Sequence, residues 1–186
     1  MNRILAGMAL MLVVAAPAWA GQQSPAELTR VEVGAGVVFR RPVGVPPGLA
    51  VHWSNGLALD VTGNLNARFA VASEIETFFQ GSSTVLGGAQ LSTNFFYGNG
   101  RDPVPGRFFA KLLGGVASNG VTSAPALHAG GGAEVLLSRT KPIALRWEIG
   151  YRIVAANLGP RVNGVAAIGL VFGPHLSKRP FTRLHG

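Results

Sequence analysis

The stretch from Ile143 to Val154 alternates strictly between two kinds of residue. Ile143, Leu145, Trp147, Ile149, Tyr151 and Ile153 fall on one set of alternate positions. Ala144, Arg146, Glu148, Gly150, Arg152 and Val154 fall on the other. A helix would scatter both sets around its circumference, whereas a strand puts each on its own face. The chain must therefore build a sheet with two unlike faces, one greasy and one charged.

The same split recurs along the chain. Val31, Val33, Ala35, Val37 and Phe39 oppose Glu32, Gly34, Gly36 and Arg40. Leu57, Leu59 and Val61 oppose Asp60, Thr62 and Asn64. Phe69, Val71 and Ile75 oppose Arg68, Ala70, Ala72, Glu74 and Glu76. Leu91, Phe95 and Tyr97 oppose Gln90, Ser92 and Asn94, while Phe108, Ala110 and Leu112 flank Lys111. Ala129, Ala133, Val135 and Leu137 oppose His128, Gly130, Gly132 and Glu134. Gly164 to Phe172 is apolar on both faces, with Ala166, Ile168, Leu170 and Phe172 the bulkier row.

These runs predict eight antiparallel strands. Breakers separate them at Pro42 to Asn55, Gly63 to Ala67, Gln80 to Ser83, Gly98 to Gly106, Ser118 to Pro125, Ser138 to Pro142 and Ala155 to Asn163. An even count leaves both ends of the sheet on one side.

Length predicts one domain, since the chain has 186 residues and no long polar linker. Only 13% of residues are charged, against about a quarter in an ordinary soluble domain. The absence of cysteine excludes zinc ribbons, thiol redox chemistry and a cysteine nucleophile. No cofactor or metal is expected.

Residues 1–20 read as an export signal. Arg3 precedes an apolar run from Ile4 to Pro17, and Ala18-Trp19-Ala20 makes a small-residue cleavage site. The run falls short of the about 20 apolar residues that a spanning helix needs. The expected layout is a signal peptide at 1–20, a short N-terminal segment at 21–29, a barrel domain at 30–173 and a basic tail at 174–186. Beyond Gly21 no stretch is long and apolar enough for a transmembrane helix. A membrane contact would then fall to strands, which must close because unpaired backbone groups are costly in hydrocarbon.

Alternation alone does not say which face points inward. A soluble lipocalin-like barrel has its apolar residues inside; a membrane barrel reverses this. Three observations favour the reversal. Glu32, Asp60, Glu74, Glu76, Glu134 and Glu148 share the polar faces with Arg40, Arg68, Lys111, Arg146 and Arg152. That near-balance suits a closed interior, where an unpaired charge is very costly. The same faces carry Gly34, Gly36, Ala70, Ala72, Gly130 and Gly132, which relieves crowding in a narrow lumen. Aromatics gather near strand ends at Phe39, Phe78, Phe79, Phe95, Phe96, Tyr97, Phe108, Tyr151 and Phe172, as interfacial girdles do.

Residues 30–173 resemble the OmpA/OmpX-like outer-membrane β-barrel domain proteins. The strongest parts are Leu127 to Leu136, the turn Ser138 to Pro142 and the strand Ile143 to Val154. The resemblance implies an eight-stranded up-and-down transmembrane barrel with periplasmic termini, short periplasmic turns and longer surface loops. It also implies outer-membrane lipids and the barrel assembly machinery as partners, and leaves any surface-loop partner unidentified. Two features depart from the family. Gly173 to Gly186 follows the terminal aromatic Phe172, and Gly98 to Gly106 is long for a periplasmic turn.

One motif suggests catalysis. His52-Trp53-Ser54-Asn55 resembles the His-x-Ser-Asn motif of the lipid A deacylases, which implies a Ser nucleophile activated by His. Its position near the N-terminus departs from that family, and Asp60 is far along the strand for a triad partner. His128 near Glu134 makes a weak metal pair, with a polar core histidine as the alternative. Gly130-Gly131-Gly132 lacks the Lys-Ser/Thr of a phosphate loop.

The formal charge is +8. Arg30, Arg101, Arg107, Arg139, Lys141, Lys178, Arg179 and Arg183 map to the expected periplasmic rim or tail, where anionic headgroups would attract them. A solvated rim is the alternative. Nucleic acid is not expected for an exported barrel. The reading favoured is an outer-membrane barrel with a structural or surface-interaction role and a charged interior. An acyl hydrolase using His52 and Ser54, or a soluble lipocalin-like binder, are the alternatives.

Overall fold

A computed structural model describes residues 31–45, 52–66, 68–97, 104–137, 143–156 and 159–173. The expected signal peptide, the segment at 21–29 and the basic tail lie outside the described residues. Eight strands follow one another: β1 (Val31–Pro42), β2 (Ser54–Asn64), β3 (Phe69–Phe78), β4 (Ser83–Tyr97), β5 (Val104–Ser118), β6 (Ser123–Leu136), β7 (Ile143–Ala156) and β8 (Gly159–Phe172). Each pairs antiparallel with the next, and β8 closes on β1. The result is a closed, eight-stranded, all-antiparallel up-and-down β-barrel.

Closure ties strand tilt to register. A walk along paired residues runs from Glu32 through Thr62, Ala72, Gly88, Leu113, His128, Arg152 and Asn163. It returns to β1 at Pro42, ten residues above its start at Glu32. With ordinary strand spacings, that offset tilts the strands by about 40° and sets a backbone radius of about 8 Å. The lumen is just wide enough for side chains.

Several strands run further than their breakers suggest. Val104 to Gly106 belongs to β5, Ser123 to Pro125 to β6, and Gly159 to Asn163 to β8. The prolines show why. Pro105 pairs with Phe96 of β4, but the ladder to β6 begins only at Gly106. Pro125 lies one residue beyond the β7 ladder, and Pro160 and Pro42 lie beyond the β1 and β2 ladders. Each proline sits where one neighbour has already ended, so the missing N–H leaves no gap in the ladder.

The longer strands shorten the connections. At the distal end, away from the start of β1, residues 43–53, 79–82, 119–122 and 157–158 join the strands. At the proximal end the joints are 65–68, 98–103 and 137–142. The implied contrast of short proximal turns and longer distal loops therefore holds only for 43–53. Asn66 Oδ1 accepts the backbone N–H groups of Arg68 and Phe69, and Asn119 Oδ1 does the same for Val121 and Thr122. Gly81 and Gly120 turn with φ of 83° and 87°, a region costly for residues with a Cβ.

The joint between first and last strands is made close by glycine. Gly36 pairs with Gly169, and a Cβ on either would come within 2.7 Å of the other's Cα. By contrast, nothing lies within 4 Å of a Cβ at Gly114 on the outer face of β5. Gly169→Val should therefore cost about 1–3 kcal/mol, read by urea titration of the barrel in liposomes. Gly114→Val should leave the midpoint nearly unchanged.

Candidate functional site

The register decides which face each side chain takes. Ile149, Tyr151 and Trp147 of β7 are 71%, 62% and 42% exposed, and Leu57, Leu59, Val71, Leu91, Leu112 and Ile168 are also exposed on the outer wall. Their neighbours Arg146, Glu148 and Arg152 are buried inside. A lipocalin-like arrangement would place them the other way round. Phe69, Phe108 and Phe172 sit outside towards the proximal end, with Phe95 stacked 4.3 Å from Phe108. Trp53, Phe79 and Tyr151 sit outside towards the distal end. Phe78 is an exception among the expected girdle aromatics, since it points inward and is 1% exposed.

Inside, the ions form two clusters, one above the other along the barrel. Near the proximal end, Arg107 donates from Nη1 to Glu32 Oε1 at 3.0 Å and from Nε to Glu134 Oε2 at 3.0 Å. Asn64 Nδ2 donates to the same Glu32 oxygen at 2.8 Å. Glu134 also faces Arg146 Nε at 3.4 Å. Arg146 then reaches Asp60 from Nη1 and Gln90 Oε1 from Nη2 at 2.9 Å, with its guanidinium 4.3 Å above the Phe109 ring. At mid-height Lys111 bridges Glu74 and Glu148, the latter at 2.7 Å. His128 Nε2 lies 2.9 Å from Glu148 Oε1. Towards the distal end Arg152 holds Glu76, and its Nη2 donates to Glu74 Oε1 at 3.1 Å.

This wiring follows from strand geometry. Residues two apart on one strand face the lumen one above another. Glu74 and Glu76 on β3 thus make a vertical pair, as do Arg146 and Glu148 on β7. Small residues supply the room. Gly36, Ala58, Ala167 and Gly169 form one wall of a cavity of about 30 Å³, faced by Asp60, Glu74, Glu76, Lys111, Arg146 and Glu148. That space holds about two waters, so this stretch of the lumen is packed with side chains. Apolar side chains complete the filling: Val38, Phe78 and Val165 in one cluster, and Ala72, Leu86, Leu113 and Ala126 in another.

The structure brings together Glu32, Asp60, Glu74, Glu76, Lys111, Glu134, Arg146, Glu148 and Arg152. Arg40 stands apart near the distal end. It donates to Ser82 Oγ at 3.0 Å and lies 4.0 Å above the Phe78 ring. Arg68 is outside the network altogether. The Asn66 turn ends β2 and leaves Arg68 exposed below the first ladder residue of β3. Arg107 takes its place, 2% exposed and inside the lumen instead of on the rim expected for it. Arg107, Lys111, Arg146 and Arg152 thus hold the six carboxylates. The remaining rim and tail cations (Arg30, Arg101, Arg139, Lys141, Lys178, Arg179, Arg183) lie outside the described residues. His128 pairs with Glu148 rather than Glu134, and no group of three metal-ligating side chains occurs among the described residues.

His52 is exposed two residues before the start of β2, and Ser54 pairs with Arg40. Asp60 lies six residues further along the same strand, about 20 Å away, and is engaged by Arg146. It cannot complete a triad with them.

No family model matches the chain, and no curated protein matches it. Among solved structures it is similar to Neisserial surface protein A, at 15% identity and a TM-score of 0.49, over 77% of this chain and 97% of that one. It is similar to Ail, the attachment invasion locus protein of Yersinia pestis, at 14% and 0.49, over 78% and 99%. It is also similar to the N-terminal β-barrel domain of Pseudomonas aeruginosa OprF, at 10% and 0.39, over 78% and 98%. These are eight-stranded outer-membrane β-barrels, and the likeness is one of fold.

Arg107 holds Glu134 from the neighbouring strand β6 and Glu32 from β1 across the lumen. Arg107→Met should cost about 3–5 kcal/mol, because Glu32 and Glu134 would remain buried after losing the cation they share. The triple variant Glu32→Gln, Arg107→Met, Glu134→Gln should recover most of that loss in the same urea titration.

Proposed function

We propose that the chain is an outer-membrane β-barrel protein with a structural or surface-interaction role, its lumen closed by the ion network. The observation that carries this reading is the inverted polarity of the wall. A barrel that exposes Leu59, Ile149 and Ile168 while burying Arg107, Glu134 and Arg152 is arranged for a solvent of hydrocarbon. The dimension agrees. From Ile143 to Ile153 the outward row of β7 rises about 25 Å along a tilted strand, the height of a typical outer-membrane apolar band. Residues 1–20 supply an export signal, and the shared proximal end supplies periplasmic termini. Outer-membrane lipids and the assembly machinery are the partners this reading entails.

The connections at 79–82, 119–122 and 157–158 offer a partner little surface. They favour the structural role, and any surface interaction would centre on residues 43–53.

Two measurements test the reading. Leu59→Arg, at mid-height on the outer wall, should destabilise the barrel in liposomes by about 2–4 kcal/mol, whereas Asn55→Arg near the distal edge should cost about 0–1 kcal/mol. Equal costs would contradict a bilayer around the wall. In planar bilayers the inserted protein should give no steady conductance, and a sustained open level would contradict the closed lumen.

A further inference from the structure

One side chain breaks the rule of the outer wall. Among the described residues, Arg41 is the one charged residue at an outward-facing strand position. It stands one residue from the distal end of β1, paired with Gly164 of β8. Its guanidinium lies 5.8 Å from the centre of the Trp53 ring, within cation–π range.

Arg41 heads a groove. Along the outer wall, Gly164 and Ala166 of β8 are small, while their neighbours are large. On one side Tyr151 pairs with Gly164 and Ile149 with Ala166. On the other, Arg41 pairs with Gly164 and Phe39 with Ala166. Strand β8 is therefore the floor of a trough between two ridges. A shallow recess of about 510 Å³ runs over this wall, from Ala129 of β6 past Ile149 and Tyr151 of β7 to Gly164 and Ala166 of β8, and reaches Arg41, Val43 and Trp53 at the top. Its floor is apolar, and its upper end carries the cation.

We infer that this groove holds a single lipid of the outer leaflet, an acylated and phosphorylated glycolipid, with one acyl chain over Gly164 and Ala166 and a phosphate on Arg41. The inference rests on the orientation given under the proposed function, which puts the distal end at the outer leaflet. Charge complementarity selects the occupant. A guanidinium at the apolar boundary pairs best with a bidentate anion such as phosphate. A zwitterionic lipid would bring its own cation against Arg41. The depth also fits. Arg41 sits at the strand end, where a lipid-facing arginine costs little, rather than at mid-height. Trp53 lies beside it within cation–π range.

Native mass spectrometry of the full-length barrel in detergent tests the site. The probes are bisphosphorylated lipid A, the same lipid A after dephosphorylation, phosphatidylglycerol and phosphatidylethanolamine. Wild type should retain phosphorylated lipid A in preference to the other three. Arg41→Gln should weaken that binding about fivefold, the effect of one interfacial cation, and should bind both forms of lipid A alike. Ala166→Trp fills the trough and should also weaken binding. Gly114→Trp, on the outer face of β5 in open space, should not. Unchanged lipid A binding by Arg41→Gln would overturn the inference, as would equal retention of phosphatidylglycerol. Heat-modifiable gel migration reports folding of each variant, and Arg41→Gln tests the site even if Ala166→Trp does not fold. A wild-type chain that stays soluble without detergent or lipid would defeat the membrane reading itself. A chain that inserts but ignores Arg41 would defeat only this site.

Discussion

The pairing of buried carboxylates with buried guanidiniums is the condition on which the rest depends. An isolated ion in a dry interior is prohibitively costly, whereas one held by several partners is tolerated. Glu134 touches Arg107 and Arg146, Glu74 touches Lys111 and Arg152, and Glu148 touches Lys111 and His128. Each of these acids is shared, so the cations are tied into two clusters, Arg107 with Arg146 and Lys111 with Arg152. They replace the greasy core of a soluble barrel and release the apolar residues to the outside.

Sharing of this kind needs a particular backbone. Arg107, Lys111, Arg146 and Arg152 are long, and eight strands leave a narrow tube. The tube accommodates them because β1, β2 and β8 present Gly36, Ala58, Ala167 and Gly169. Bulk on one side is matched by its absence on the other. The glycine content therefore has a packing role in the lumen, distinct from its role in the turns at Gly81 and Gly120.

The strands were legible because period 2 survives wherever one face meets a different medium from the other. β7 shows it over its whole length, and even β8, apolar on both faces, betrays itself by the size difference between Ile168 and its small neighbours. The ends of strands were less legible. Pro105 and Pro125 look like breakers in one dimension, yet each is harmless where a neighbouring strand has stopped, and that is a property of the register. Arg107 was hidden by the same effect. It follows Pro105-Gly106 and reads as rim, although its even spacing from Lys111 and the outward Phe108 place it on the inner face. Arg68 illustrates the converse: alternation extends to it, but the Asn66 turn has already ended the ladder. The groove at Arg41 had no signal of its own, because it is made by residues from β1, β7 and β8 that only closure brings side by side.

The reach of Arg107 has a consequence for assembly. The ring is completed only when β8 meets β1, a pairing such as Val33 with Phe172 that spans nearly the whole barrel, and contacts of that range form slowly. Glu32 stands at the beginning of β1 and is gripped across the tube by an arginine of β5. Once β5 is in place, the first strand has an anchor that does not need the last. The seam can wait for its partner with the first strand already moored from within.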